Sequence, residues 1–179
     1  MTSVPSTTPT TDRTRPPLRL SLKPPALPTG HVDGAWWPRS RDLAAELPAL
    51  AEALADRLGV VARVVFAETF WGSTVPQVEV NAHPVALVGF AALDTDVVQV
   101  AGADRRHLDL LVIPPDAESP AAARALALAA ADHTRLPARI LAAAGISTTR
   151  APVVVEHSPV HRTRHRTHTG GPERTRPAE

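Results

Sequence analysis

The chain has 179 residues, a formal net charge of +1, 44% hydrophobic and 21% charged residues, and no cysteine. This balance suits one soluble domain, excludes disulfides, thiolate catalysis and thiolate-bound zinc, and provides no global field that would draw the molecule to nucleic acid or membrane. No window holds about 18 uninterrupted apolar residues, and the first residues lack the apolar run of a signal peptide, so we expect no membrane partner and a cytoplasmic location.

Both ends of the chain lack apolar periodicity that would offset the entropy of ordering them. We therefore expect disordered tails at residues 1–16 and 147–179 around a single domain at residues 17–146. The short run VVVE, residues 153–156, is the exception, and it is a candidate edge strand although prolines flank it closely.

The first predicted strand starts at Leu18, where leucines alternate with polar residues, and it ends at the proline pair Pro24-Pro25. A loop at residues 30–42 follows. Leucines then recur at spacings of three and four and predict an amphipathic helix: Leu43, Leu47, Leu50, Leu54 and Leu58.

Residues at both ends of this helix suit its termini. Ser40 is the expected N-cap and Gly59 the expected stop. Pro48 lies within the pattern, and because it lacks an amide hydrogen we expect it to kink or split the helix near Leu47.

Beyond Gly59 the period changes from helical to alternating, which predicts strands. The predicted strands are residues 62–68, 77–81, 85–90, 97–101 and 107–113. Because short linkers favour antiparallel neighbours, we expect a meander.

Two helices should complete the domain, an alanine-rich one at residues 118–132 and a second at residues 137–144. The expected fold class is therefore α+β: a single domain in which a curled antiparallel meander sheet packs against two or three helices.

The loop before the first helix holds the candidate binding residues. Its sequence, GHVDGAWWPRSRD, places aromatic and charged side chains together: Asp33, Trp36, Trp37, Arg39 and Arg41. Arginines beside free helix amides suit a phosphate or carboxylate, and an exposed indole suits a flat ring, so one hypothesis is a non-enzymatic domain that binds a small anionic ligand or a partner protein here. The alternative is a structural loop whose tryptophans anchor it in the core.

The same stretch carries a resemblance. With LDLLVIPPD and the alanine-rich helix after it, GHVDGAWWPRSRDL resembles an actinobacterial family of small proteins, domain of unknown function 5994, over about residues 18–132. The resemblance implies an unassigned role and supplies no catalytic residues.

A catalytic alternative rests on His107 and Asp109, which are two apart on one predicted strand and hence on one face. Their neighbours Leu108, Leu110 and Val112 form the inward set, so we expect His107 and Asp109 to face solvent. No glycine-rich phosphate loop, GxSxG elbow or metalloprotease motif is present, and we expect no cofactor.

Two further patterns have simple explanations. Asp94 and Asp96 are typical turn residues and too few for a metal site. In the C-terminal segment His157, His161, His165 and His168 alternate with arginines, which predicts at most adventitious metal affinity and weak, salt-sensitive contact with nucleic acid.

Overall fold

The computed structural model describes residues 17–25, 30–72, 74–91, 96–131 and 135–147. These residues form a seven-stranded sheet and four helices. The strands are β1 (Leu20–Leu22), β2 (Gly34–Trp36), β3 (Val61–Ala67), β4 (Gln77–Val80), β5 (His83–Phe90), β6 (Val97–Gly102) and β7 (His107–Val112). The helices are α1 (Leu43–Leu58), α2 (Glu68–Trp71), α3 (Ser119–Ala131) and α4 (Pro137–Ala144). The expected tails, with the VVVE run, lie outside the described residues except for Ser147.

The α+β class of a single domain is confirmed, but the antiparallel meander needs correction because the sheet is mixed. Its order is β1-β2-β7-β6-β3-β5-β4, and β2 pairs with β7, and β3 with β5, in parallel. Residues 68–76 separate β3 from β4 along the chain, and α2 is the first part of this connection. This connection is long enough for β5 to lie between the two strands, so β3 and β4 are neighbours in the chain but not in the sheet.

The strand directions define two edges of the sheet. Strands β2, β3, β5 and β7 run one way, and β1, β4 and β6 run the other. We call the edge where the first group ends the carboxyl edge, and the opposite edge the amino edge. Trp36 and Val112 lie at the carboxyl edge, whereas Gly34, His107 and the end of β1 lie at the amino edge.

Each face of the sheet carries its own core. One core contains the buried leucines of α1 and inward side chains of six strands, among them Trp36, Phe66 and Leu110. The other contains Leu111 and the alanine and isoleucine positions of α3 and α4. Both faces are therefore covered near β2, all three residues of which are buried.

The N-cap of helix α1 is Asp42 and not Ser40 as expected, two residues further along the chain: the carboxylate of Asp42 accepts a hydrogen bond from the Ala45 amide at 3.1 Å. Ser40 instead donates to Glu46 Oε1 at 2.9 Å. The predicted stop at Gly59 is confirmed. Pro48 does not split the helix, which runs unbroken through it.

The segment predicted as a loop at residues 30–42 contains strand β2. Gly34 is required there because a Cβ at this position would overlap the Ser21 carbonyl oxygen and lie 2.9 Å from Leu22 Cα. The strand was missed because its three residues carry no alternation, and its position depends on a partner, β7, about 75 residues later.

Candidate functional site

Strand β2 separates the five residues predicted to form one binding site. Asp33 precedes the strand at the amino edge, while Trp36, Trp37, Arg39 and Arg41 end or follow it at the carboxyl edge. Three residues of strand span about 10 Å. The structure therefore does not bring Asp33 together with the two arginines.

Trp36 is a core residue. Its side chain is 0% exposed, and its ring stacks on Trp71 with centroids 5.3 Å apart and planes 21° from parallel. Phe70 meets Trp71 edge to face at 5.0 Å. The indole Nε1 of Trp36 has no hydrogen-bond partner in the described part of the chain. For this residue the geometry favours the structural alternative.

Trp37 is half-buried, and its ring face is covered by the protein itself. The guanidinium carbon of Arg19 lies 3.5 Å from the ring centroid, and Arg19 Nε donates to the Trp37 carbonyl oxygen at 3.1 Å. The indole Nε1 donates to the Pro114 carbonyl oxygen at 3.1 Å. Burial, helped by the charge of Arg39, lowers the pKa of Arg19, which as an arginine still remains cationic. One face of the Trp37 indole, on which a flat ligand was expected to stack, is thus covered by Arg19.

Arg39 and Arg41 are exposed, and both have partners. A guanidinium nitrogen of Arg39 donates to the Pro17 carbonyl oxygen at 3.1 Å. Arg41 forms an ion pair with Asp116 at 3.4 Å, and its guanidinium carbon lies 4.8 Å from the Phe70 ring centroid. Each arginine therefore ties the segment to another part of the domain, and the ligand role predicted for them stays a prediction.

Asp33 extends the pairing of β2 with β7. Its amide donates to the Asp109 carbonyl oxygen at 2.7 Å, and its Oδ2 accepts from the Asp109 amide at 2.9 Å. Asp109 is half-buried instead of facing solvent as expected, and its Oδ1 accepts from Gln99 Nε2 at 3.0 Å. His107 is exposed, as expected. A catalytic role for His107 and Asp109 also stays a prediction.

A cleft of about 480 Å³ opens at the amino edge, which we call the amino-edge cleft. Such a volume is within the range of about 300 to 1,000 Å³ that holds small molecules. Its charged and polar lining residues come from the end of β1, the start of β2, the last turn of α1 and the β6–β7 turn: Lys23, Asp33, Arg57, Arg105, Arg106 and His107. Its apolar lining residues are Pro24, Pro25, Leu58 and Leu108.

The β6–β7 turn presents two adjacent arginines to this cleft. Arg105 has a φ of +70°, a left-handed conformation that non-glycine residues adopt uncommonly. The turn is closed by the Gly102 amide, which donates to the Arg106 carbonyl oxygen at 2.8 Å. Asp104 accepts from the Arg106 amide at 3.1 Å and from its Nε at 2.5 Å. Hydrogen bonding to the Arg106 side chain is the main cause that lowers the pKa of Asp104.

Lys23 is the chain's single lysine, and it is only 4% exposed. Its Nζ donates to the Val32 carbonyl oxygen at 2.6 Å, and its own carbonyl oxygen accepts from the Arg57 guanidinium. An ammonium carries three donors, and Val32 accounts for one. Within the described residues no carboxylate lies within 4 Å of this ammonium.

The balance of charge in the amino-edge cleft is positive. Lys23 and the three arginines contribute four formal positive charges, while Asp33, and Asp104 beside Arg106, contribute two negative ones. Both carboxylates are already engaged by hydrogen bonds. The arrangement can therefore attract and hold an anion.

A cavity of about 430 Å³ at the carboxyl edge has the opposite character. Its lining includes Phe66, Leu87, Pro76 and, as its charged residue, Glu68. None of the described residues that line it has a cationic side chain.

Sequence reasoning missed Lys23, Arg57, Arg105 and Arg106 as a group. They are spread over more than 80 residues, and only the direction of the strands brings them to one edge. One signal was present: the sole lysine directly precedes a proline pair at the end of a predicted strand.

No group of three or more His, Cys, Asp or Glu side chains within the described ranges is placed to hold a metal ion. Of the turn pair considered above, Asp96 is buried and has interactions of its own, while Asp94 lies outside the described residues. The histidines His157, His161, His165 and His168 lie outside them as well.

In the part of the chain that the structure describes, no helix combines the length and the apolar character needed to cross a bilayer.

Comparison with known proteins identifies the family. Residues 19–129 match the model of a family of unknown function, DUF5994, and the chain belongs to that family. The match covers β1 to nearly the end of α3, so it includes both edges of the sheet. No curated protein and no solved structure matches the chain.

Proposed function

We propose that this member of the DUF5994 family is a non-enzymatic domain that binds a small anion in the amino-edge cleft. The observation that carries the proposal is Lys23, a buried ammonium with no described carboxylate within 4 Å, in a cleft whose charges are mainly positive.

Burial makes this ammonium costly to the folded protein alone. A charge taken out of water destabilises a protein unless it is paired and fully hydrogen-bonded, and the Val32 carbonyl oxygen is a neutral acceptor. An anion that enters the cleft would supply the missing countercharge. Such a trade of stability for binding is common at functional sites.

The arginines supply geometry as well as charge. A guanidinium presents a planar fork of donors that matches a carboxylate or phosphate, and charge-assisted hydrogen bonds are about twice as strong as neutral ones. Arg105 and Arg106 stand next to each other on a closed turn, and both are exposed, so they can meet a ligand at the mouth of the cleft.

The proposal keeps the ligand class expected from the sequence and places it at the other edge of the sheet. Of the five residues predicted to form the binding site, which include the two tryptophans, Asp33 is the one that lines this cleft. A partner protein at Trp37, Arg39 and Arg41, the cytoplasmic location and the actinobacterial origin stay predictions.

The test is an NMR titration of ¹⁵N-labelled full-length protein with inorganic phosphate at low ionic strength. We expect saturable amide shifts at residues 102–108, with a Kd that rises with added salt. Arg106→Gln should raise the Kd by about tenfold, because a hydrogen bond to a charged group is worth about 1.5 to 3 kcal/mol.

Arg39→Gln is the matched control, since Arg39 is also exposed but lies at the carboxyl edge, and it should leave the Kd unchanged. Lys23→Met tests the buried group with an apolar chain of similar length, and it should weaken binding at least as much as Arg106→Gln while the protein stays folded. Phosphate shifts that do not saturate, or an equal loss in Arg39→Gln, would overturn the proposal.

A further inference from the structure

We infer that the ligand of the amino-edge cleft is a phosphate monoester whose organic part is apolar and of the size of a ring. This inference rests on the proposed function, and it goes further by naming the charge and the body of the ligand. It is carried by two properties of the lining: its excess charge and its division into cationic and apolar parts.

The excess charge of the cleft favours a dianion. Four formally positive side chains line the cleft together with the Asp33 carboxylate, and Asp104, outside the lining, pairs with Arg106; the sum is an excess of two positive charges. A phosphate monoester carries about −1.5 to −2 near pH 7. A carboxylate or a phosphate diester carries one negative charge and would leave part of the excess without a partner.

The donors also outnumber what a carboxylate accepts. The Lys23 ammonium has N–H groups beyond the one directed at Val32, and the side chains of Arg105 and Arg106 add two guanidinium forks. A phosphoryl group offers three acceptor oxygens to such a set, whereas a carboxylate offers two.

The apolar part of the lining indicates a body beyond the phosphoryl group. Pro24, Pro25, Leu58 and Leu108 contribute to the cleft, and the two prolines are exposed. Rigid proline rings next to a cationic group favour a ligand that has an apolar surface adjoining its charge. A cleft of about 480 Å³ holds such a molecule, whereas a bare ion would leave most of it to water.

The experiment compares three probes on the same ¹⁵N-labelled protein: phenyl phosphate, methyl phosphate and benzoate. We expect phenyl phosphate to bind about tenfold more tightly than methyl phosphate, since covering about 60 Å² of ring surface is worth roughly that factor. Benzoate shares the ring but carries a single charge, and it should bind about tenfold more weakly than phenyl phosphate.

Pro25→Ser removes exposed apolar lining without touching a buried position. In this variant we expect the preference for phenyl over methyl phosphate to shrink by several-fold, with methyl phosphate binding as before. If the two phosphates bind equally and both depend on Arg106, the anion site stands and the apolar body is wrong. If benzoate equals phenyl phosphate, the dianion is wrong. If no probe shifts residues 102–108, the inference and the proposed function both fail.

Discussion

The two edges of the sheet differ in what surrounds their aromatic and charged side chains. At the carboxyl edge, Trp36 is buried against Trp71, and Trp37 has Arg19 over its ring and the Pro114 carbonyl oxygen at its N–H. At the amino edge, Lys23 is buried without a described carboxylate within 4 Å. Residue type alone therefore does not distinguish a structural cluster from a candidate binding site, whereas the contacts that each residue already makes do.

The largest effect is expected when the Trp36 side chain is removed. If the residue is a core anchor, Trp36→Ala should lower the free energy of unfolding by about 3 to 5 kcal/mol, as large-to-small core changes do. Trp36→Phe keeps an aromatic ring and loses no hydrogen bond, because Nε1 has no described partner, so it should cost clearly less. Urea denaturation measures both. A loss below about 1 kcal/mol for Trp36→Ala would show that the carboxyl edge is free for another role.

The next effect concerns Gly34, in the strand that joins the two edges. A Cβ there would overlap the Ser21 carbonyl oxygen on β1, so Gly34→Ala should separate β1 from β2. Overpacking of this kind costs about 1 to 3 kcal/mol. Since Lys23 follows β1 directly, the same variant should also weaken phosphate binding in the cleft. Wild-type stability in urea would contradict the close approach of the two strands.

A smaller loss of stability is expected when the acidic N-cap of α1, at the carboxyl edge, is replaced. Asp42 caps α1 through the Ala45 amide, so Asp42→Ala should cost about 1 kcal/mol. Glu52→Ala, on the exposed side of the same helix, is the control and should stay within about 0.5 kcal/mol. Equal stabilities of the two variants would mean that the Asp42 carboxylate does not serve the helix.

The smallest expected effect is electrostatic, and it concerns the pKa of Asp104 beside Arg106 at the amino edge. Hydrogen bonds from Arg106 lower the pKa of Asp104, so the folded carboxyl gives up its proton more readily than an unfolded one. Its stabilising effect is present above the ordinary aspartate range and is lost as the pH falls through the lowered pKa. In an NMR titration, Arg106→Gln should raise the Asp104 pKa toward its ordinary value. An unchanged pKa would show that the two side chains do not interact in solution.

Local patterns predicted the elements well. The strands β3 to β7 and the helices α1, α3 and α4 lie within a few residues of their predicted positions, because alternation and leucine spacing are properties of neighbouring residues. Strand pairing, in contrast, depends on residues that are far apart in the chain. The parallel pairs β2/β7 and β3/β5 have no signal in either strand taken alone.

The site was harder to predict for the same reason. Lys23 belongs to the polar residues that alternate with Leu18, Leu20 and Leu22, but β1 ends at Leu22 and the lysine is buried beside Val32. Asp33 was identified as a candidate from its neighbours in the chain, whereas its neighbours in space are Asp109 and the residues of the amino-edge cleft.

The parallel pairing of β2 with β7 also constrains how the protein is made. Residues 34–36 leave the ribosome long before residues 110–112, and β2 is flanked in the sheet by β1 and β7 alone. Until β7 is synthesised, the β1–β2 hairpin lacks its support, and isolated two-stranded hairpins are marginally stable in water. The β1–β2 hairpin can therefore pair with β7 only after the later half of the chain has been made. Because contacts between distant residues form slowly, we expect this pairing to be a late step of folding.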